Sequence, residues 1–225
     1  MAELKINNNI IKTVIFDFDG TLARLNIDFD LMRKKVFKII LSYGVNNDNL
    51  HKSHILEMLH AAESVLANIS PVKAENLKHE ALSCIESLEI AAAKNGELFP
   101  RIKELLNVLK SHGISRGVVS RNCEKAIYTI FPDILSYCDA VVCRDFVKKV
   151  KPHPEHIHTA LRLMKGEPGS ALMIGDHPLD IQAGRLAGTF TAGVLSGHFE
   201  KHDFSNAGAD LILDQATDLL GIIRW

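Results

Sequence analysis

Hydrophobic positions along this chain change period twice. Residues 13–16, Thr-Val-Ile-Phe, form a short apolar run of the kind that fills a strand buried on both faces. From about Asn26 to Asn95 the apolar residues instead recur every three or four positions. Phe29, Met32, Val36 and Ile40 make one stripe, and Ile55, Met58, Leu59, Ala62, Val65, Leu66 and Ile69 a second. Leu77, Ala81, Cys84, Ile85, Leu88 and Ala92 make a third. These stripes predict helices and no strand. The third helix is well punctuated: Ser70 can cap it, Pro71 suits its first turn, and Asn95 with Gly96 suits its end. Beyond Phe99 the rhythm alternates. Helices are predicted over residues 100–112, 124–130, 154–164, 179–187 and 217–223, and strands over 114–120, 139–143, 171–174, 190–195 and 211–213.

Strands that alternate with helices imply right-handed βαβ units and a parallel sheet. The expected architecture is an α/β core of residues 1–25 and 96–225, with a helical domain of residues 26–95 inserted after the first strand. A length of 225 residues suits one domain carrying such an insertion.

Composition narrows the function classes. Hydrophobic residues make up 47% of the chain, enough for a packed core. Lys and Arg number 26 against 27 Asp and Glu, a balance without the basic footprint of a nucleic-acid binder. No apolar run reaches bilayer length, and the polar stretch from Met1 to Asn9 lacks the apolar core of a signal peptide, so a cytoplasmic location and no membrane partner are expected. Cys84, Cys123, Cys138 and Cys143 fit neither a zinc nor a redox spacing and read as buried thiols. His153, His156 and His158 lie close together, but their spacing fits no common zinc pattern, and the last two point to different helix faces.

In open parallel sheets ligands bind beyond the carboxyl ends of the strands. Four predicted strand ends or helix starts carry chemical groups there. The first strand runs into Asp17 and Asp19, followed by Gly20 and Thr21. A later one ends on Ser120-Arg121-Asn122, and another on Gly175-Asp176, with Asp180 one helical turn on. Between them Lys151-Pro152 closes a basic loop just before a helix. Two carboxylates one residue apart at a strand end raise each other's pKa, an arrangement that makes sense around a cation.

In this order, the four stretches resemble the motifs of the haloacid dehalogenase-like hydrolase superfamily, in its phosphoglycolate phosphatase-like branch. The resemblance implies a Rossmann-like parallel core with a helical cap, hinged near residues 24–26 and 95–99, that closes over a small phosphorylated substrate. It implies Mg²⁺ held by the side chains of Asp17 and Asp176 and by the backbone carbonyl of Asp19. Asp17 would be the nucleophile and Asp19 the general acid and base. Ser120, with Arg121 and Asn122 after it, would hold the phosphoryl oxygens together with Lys151, and Asp180 would steady Lys151 or a metal-bound water. Asp19 argues against dehalogenation, since halide leaves without a proton, and Thr21 resembles the phosphatases more than the sugar phosphomutases. Arg121 and His177 depart from the family pattern. Arg121 would touch the leaving group or form a surface pair, and His177 would reach the metal's outer shell or the substrate. The implied activity is Mg²⁺-dependent hydrolysis of a small organic phosphate monoester by a monomer or homodimer. A phosphomutase and a catalytically idle binding module are the alternatives.

Overall fold

The computed structural model describes residues 3–46 and 53–223, so residues 47–52 of the predicted helical segment lie outside the described residues. The chain opens with a hairpin of β1 (Lys5–Ile6) and β2 (Asn9–Ile10). Its turn residues, Asn7 and Asn8, have φ of 49° and 66°, a left-handed conformation that asparagine tolerates and that matches the twist of a two-residue hairpin. β3 (Thr13–Phe16) follows and is buried along its whole length. β4 (Ala23–Arg24) pairs antiparallel with β5 (Glu97–Leu98), forming a short ribbon where the chain leaves and re-enters the core.

The main sheet has six parallel strands in the order β10-β9-β8-β3-β6-β7. The remaining members are β6 (Ser115–Val119), β7 (Ala140–Val142), β8 (Ala171–Gly175), β9 (Phe190–Val194) and β10 (Leu211–Leu213). From β3 the chain steps outward through β6 to β7, then crosses back to β8 on the other side of β3 and steps outward again. The order therefore reverses between β3 and β8, the place where a doubly wound sheet opens a crevice at its carboxyl edge.

Three helices make up a second compact unit, residues 26–92: α1 (Phe29–Ser42), α2 (Ile55–Ala67) and most of α3 (Pro71–Ala93). Met32, Val36, Ile40, Met58, Leu59, Ala62, Leu77, Ala81 and Ile85 form its core. Ser70 caps α3 as its sequence suggests, its hydroxyl accepting from Lys73 N at 3.4 Å. Three residues of the predicted stripes face outward: Phe29 is 51% exposed, Val65 46% and Ile69 77%. Periodicity marks a stripe's centre better than its margins.

In the first unit, residues 1–25 and 93–225, α6 (Glu155–Met164) and α7 (Pro178–Ala187) cover one face of the sheet. Ile157, Ala160, Leu161, Ala183 and Ala187 pack there on Ile15, Val119, Val142 and Met173. Each large side chain fully buried in this way stabilises the fold by on the order of 1.5–3 kcal/mol. Glycine lets the layers approach: a Cβ on Gly184 of α7 would lie 2.5 Å from a methyl of Thr191 on β9. α4 (Ile102–Ser111) begins later than its periodicity suggests, because Arg101 adopts a left-handed φ of 63°. α5 (Glu124–Ile130) follows β6. α8 (Lys201–Ala207) has only Phe204 as a buried residue and is invisible to a periodicity argument. The predicted last helix is a 3-10 turn over Ala216–Gly221. Among the described residues no helix is long and apolar enough to cross a membrane.

Candidate active site

β3 and β8 lie side by side, with Phe16 opposite Ile174. Asp17 N still donates to Ile174 O at 2.8 Å, so the ladder carries Asp17 one step past the strand, level with the start of the β8 turn. Asp176 is the first residue beyond β8. The loop after Asp17 ties back on itself: Leu22 N and Ala23 N both donate to Phe18 O at 2.9 Å, and Leu25 N donates to Asp19 Oδ1 at 3.0 Å. Gly20 stands in this turn at φ 82°, a conformation costly for any residue with a Cβ.

Asp180 is fixed from another direction. His177 caps α7, accepting from Leu179 N at 3.0 Å, while His177 N donates to Asp180 Oδ2 at 3.1 Å. That capping box directs the second carboxylate oxygen of Asp180 at Lys151, whose Nζ lies 2.7 Å from Asp180 Oδ1 and 2.6 Å from Asp17 Oδ1. Lys151 is 1% exposed, and lysine is almost never buried so deeply unless it is paired.

Asp17, Asp176 and Asp180 each place a carboxylate oxygen within 4.8 Å of the others. Burial raises the Asp17 carboxyl above its ordinary range despite the pull of Lys151. Burial raises Asp176 further still, reinforced by the charges of Asp17, Asp180 and Asp19. Burial alone would lower the Lys151 ammonium, but Asp17 and Asp180 outweigh it and hold its pKa above the usual value. Several acids thus share one ammonium, and Asp176, which lies beside it without a bond to it, is the acid whose charged form most needs a further cation. These residues fit a hard divalent cation, which takes carboxylate oxygens. Two glycines form a cradle for the Asp176 carboxylate, since a Cβ at Gly20 or Gly197 would collide with it. Ser196, beside Gly197, donates its hydroxyl to Gly20 O at 2.6 Å and joins the two sides of the cradle.

Gly197 does not have a left-handed φ, so a methyl there acts on Asp176 and not on the backbone. Gly197→Ala is accordingly expected to leave the melting temperature near that of the parent chain. The affinity of the acid cluster for an added divalent cation is expected to fall by roughly 100-fold, because the carboxylate must turn aside. Titrating Mg²⁺ against the melting temperature of each chain checks this, and an unchanged titration would show that Asp176 is not held by that contact.

The stretch after β6 faces the same crevice. Ser120 is fully buried, its amide donating to Val142 O at 3.0 Å and its hydroxyl to Asn122 Oδ1 at 3.0 Å. Asn122 N returns a bond to Ser120 Oγ at 3.2 Å. Arg121 Nη1 donates to the Lys151 carbonyl at 2.9 Å, and Arg144 Nη1 donates to the Arg121 carbonyl at 2.9 Å. Asp17, Lys151 and Asp180 are in direct contact, Asp176 adjoins them, and the Ser120-Arg121-Asn122 turn is bonded to the lysine loop. His177 serves α7 as its cap, with its ring edge-on to Phe199 at 4.3 Å.

The histidine trio does not converge. His153 Nδ1 accepts from Glu155 N at 3.2 Å, His156 bonds to Lys151 N and Val142 O, and His158 Nε2 bonds to Ala187 O at 3.2 Å. Arg144, Ser196 and Gly197 are members of the site that the sequence reading did not single out, and His156 is one that it weighed only as part of the histidine trio. Cys138 and Cys143 are buried, which pushes each thiol up to about 12 and leaves them inert.

Residues 14–194 match the model of the haloacid dehalogenase-like hydrolase family. Over 95% of its length the chain is 30% identical to pyrophosphatase PpaX of Bacillus cereus, of which it covers 96%. It is 29% identical to an N-acetylmuramic acid 6-phosphate phosphatase of Pseudomonas putida, over 95% of this chain and 96% of that protein. Among solved structures, one described as a haloacid dehalogenase-like hydrolase from Bacteroides fragilis superposes with a TM-score of 0.66 at 26% identity, covering 93% of this chain and 99% of that one.

Proposed function

Since the chain belongs to the haloacid dehalogenase-like hydrolase family, we propose that it is a Mg²⁺-dependent phosphatase acting on a small organic phosphate monoester of the phosphoglycolate or sugar-phosphate type. The supporting observation is the buried Lys151 ammonium, which bridges Asp17 at 2.6 Å and Asp180 at 2.7 Å beside Asp176. Its charge pulls against the burial that raises the Asp17 carboxyl and so favours the anion.

In this reading Asp17 attacks phosphorus. A bond forms between its carboxylate oxygen and phosphorus, and the ester P–O bond breaks. Asp19 gives its proton to the departing alkoxide, then takes one from the water that attacks the aspartyl-phosphate, restoring Asp17 and releasing phosphate. Lys151 and the Ser120 hydroxyl hold the phosphoryl oxygens as charge shifts onto them. Asp17, Asp176 and the Asp19 carbonyl would hold Mg²⁺, which when bound offsets the negative charge of both carboxylate and phosphate. The helical unit, residues 26–92, is the proposed cap that selects the leaving group.

The relative named as a pyrophosphatase favours a second substrate class, the phosphoanhydrides. There the leaving group is phosphate, which needs less help from Asp19. A panel of phosphoglycolate, sugar phosphates, N-acetylmuramic acid 6-phosphate and pyrophosphate, with Mg²⁺ or with EDTA, separates the readings. Release from a monoester is expected, lowered on the order of 100-fold or more by EDTA and restored by added Mg²⁺. Preference for pyrophosphate would move the chain to the second class. Release indifferent to EDTA, or none from any substrate, would defeat the metal-dependent phosphatase reading.

A further inference from the structure

Lys151 sits in a loop, yet both of its main-chain polar groups are held by side chains. Its carbonyl accepts from Arg121 Nη1 at 2.9 Å, and its N–H donates to His156 Nδ1 at 3.3 Å. The other nitrogen of that imidazole lies 3.0 Å from the carbonyl of Val142, the last residue of β7. The Val142 carbonyl also accepts from Ser120 N at 3.0 Å. A ring that accepts at Nδ1 must carry its proton on Nε2, so Nε2 donates to Val142. His156 is 0% exposed and occupies the first turn of α6. The chain leaves the sheet after Val142 and reaches Lys151 just ahead of α6, so the ring staples the two ends of the intervening loop.

We propose that His156 is a positioning residue: a neutral imidazole that fixes the Lys151 backbone to the same carbonyl that fixes Ser120, and so sets the spacing of the two groups that grip the phosphoryl oxygens. This inference rests on the phosphatase reading above, which gives Lys151 and Ser120 that role. Histidine suits the task because one small rigid ring offers an acceptor and a donor on opposite sides. Burial, with the nearby Lys151 charge, pushes the imidazole down to about 3, so the Nδ1 acceptor is not lost at working pH. A protonated ring would present a donor to the Lys151 N–H and break the staple.

Three variants distinguish positioning from packing. His156→Phe keeps a ring and loses both hydrogen bonds. His156→Gln can restore both, with its carbonyl toward Lys151 N and its amide toward Val142 O. Ile157→Ala damages the same helix at a fully buried apolar neighbour. On the best ester of the panel, His156→Phe is expected to lower kcat by roughly 10- to 100-fold with little change in KM, since a misplaced lysine fails in the transition state. Inhibition by orthovanadate, which mimics that state, weakens by a similar factor, while inhibition by inorganic phosphate changes little. His156→Gln recovers most of the loss. Ile157→Ala lowers the melting temperature but not kcat. Parent-like kcat in His156→Phe, or a loss matched by Ile157→Ala, would overturn the inference while leaving the phosphatase reading intact. A parent chain inactive on every ester would overturn both.

Discussion

Asp17→Asn is expected to cut phosphate release by on the order of 10⁴-fold or more while leaving the chain folded. The amide has the shape of the carboxylate but is a poor nucleophile toward phosphorus. Its oxygen can still accept from Lys151 Nζ, which also keeps Asp180 at 2.7 Å, so no charge is stranded. The change removes one negative charge from a buried group in which Asp17 raises the carboxyl of Asp176. Without Mg²⁺ the variant should therefore melt at or above the temperature of the parent. Adding Mg²⁺ should raise the melting point of the parent more, because a ligand that binds more tightly stabilises the fold more at the same concentration. Melting curves with and without Mg²⁺, beside a phosphate-release assay, check both halves. Parent-like turnover in the variant would remove Asp17 from the chemistry.

Lys151→Met is expected to cost both activity and stability. The thioether fills similar space but leaves Asp17 and Asp180 buried without their cation. Removing one partner of a buried ion pair typically costs about 3–5 kcal/mol. The sign of its pH dependence follows from the parent. Burial already holds Asp17 above its ordinary 3.8, and loss of Lys151 removes the main force pulling it back. The folded variant then binds a proton more readily than the unfolded chain does. Its stability rises as pH falls through the folded-state pKa toward 3.8, and is lowest above that pKa. The deficit relative to the parent should be largest at neutral pH and shrink on acidification, as urea titrations at several pH values would show. Lys151→Arg should not rescue turnover, because a planar fork cannot replace one compact ammonium between two separate acids. A Met variant as stable as the parent at neutral pH would mean the pair contributes nothing to the fold.

The parts of this site that could be read from sequence are those where chemistry follows directly on a strand. β3 is four buried residues, three of them apolar, ending at Phe16, and Asp17 comes next. β8 ends at Gly175, and Asp176 comes next. A parallel sheet brings such ends together whatever their separation along the chain, which is how Lys151 meets Asp17 across 134 residues. Ser196 and Gly197 carry no comparable mark: a serine and a glycine in a loop are ordinary until Ser196 is seen bonded to Gly20, 176 residues away. His156 did leave a trace. With Ile157, Ala160 and Leu161 it lies on the buried face of α6, and a histidine there calls for partners at both nitrogens. Reading it with its neighbours His153 and His158 hid that signal. The hairpin at Asn7-Asn8 was not predicted: its strands, like β4 and β5, have two residues each, too few to show any period.

The most direct single measurement is a rapid acid quench of the parent chain, mixed with Mg²⁺ and a turned-over ester carrying labelled phosphorus. The label should be found on the peptide containing Asp17, be released by hydroxylamine as an acyl phosphate is, and be missing from Asp17→Asn. Label on a different side chain, or phosphate release by Asp17→Asn at the parent's rate, would contradict the assignment of Asp17 as the group that accepts phosphorus.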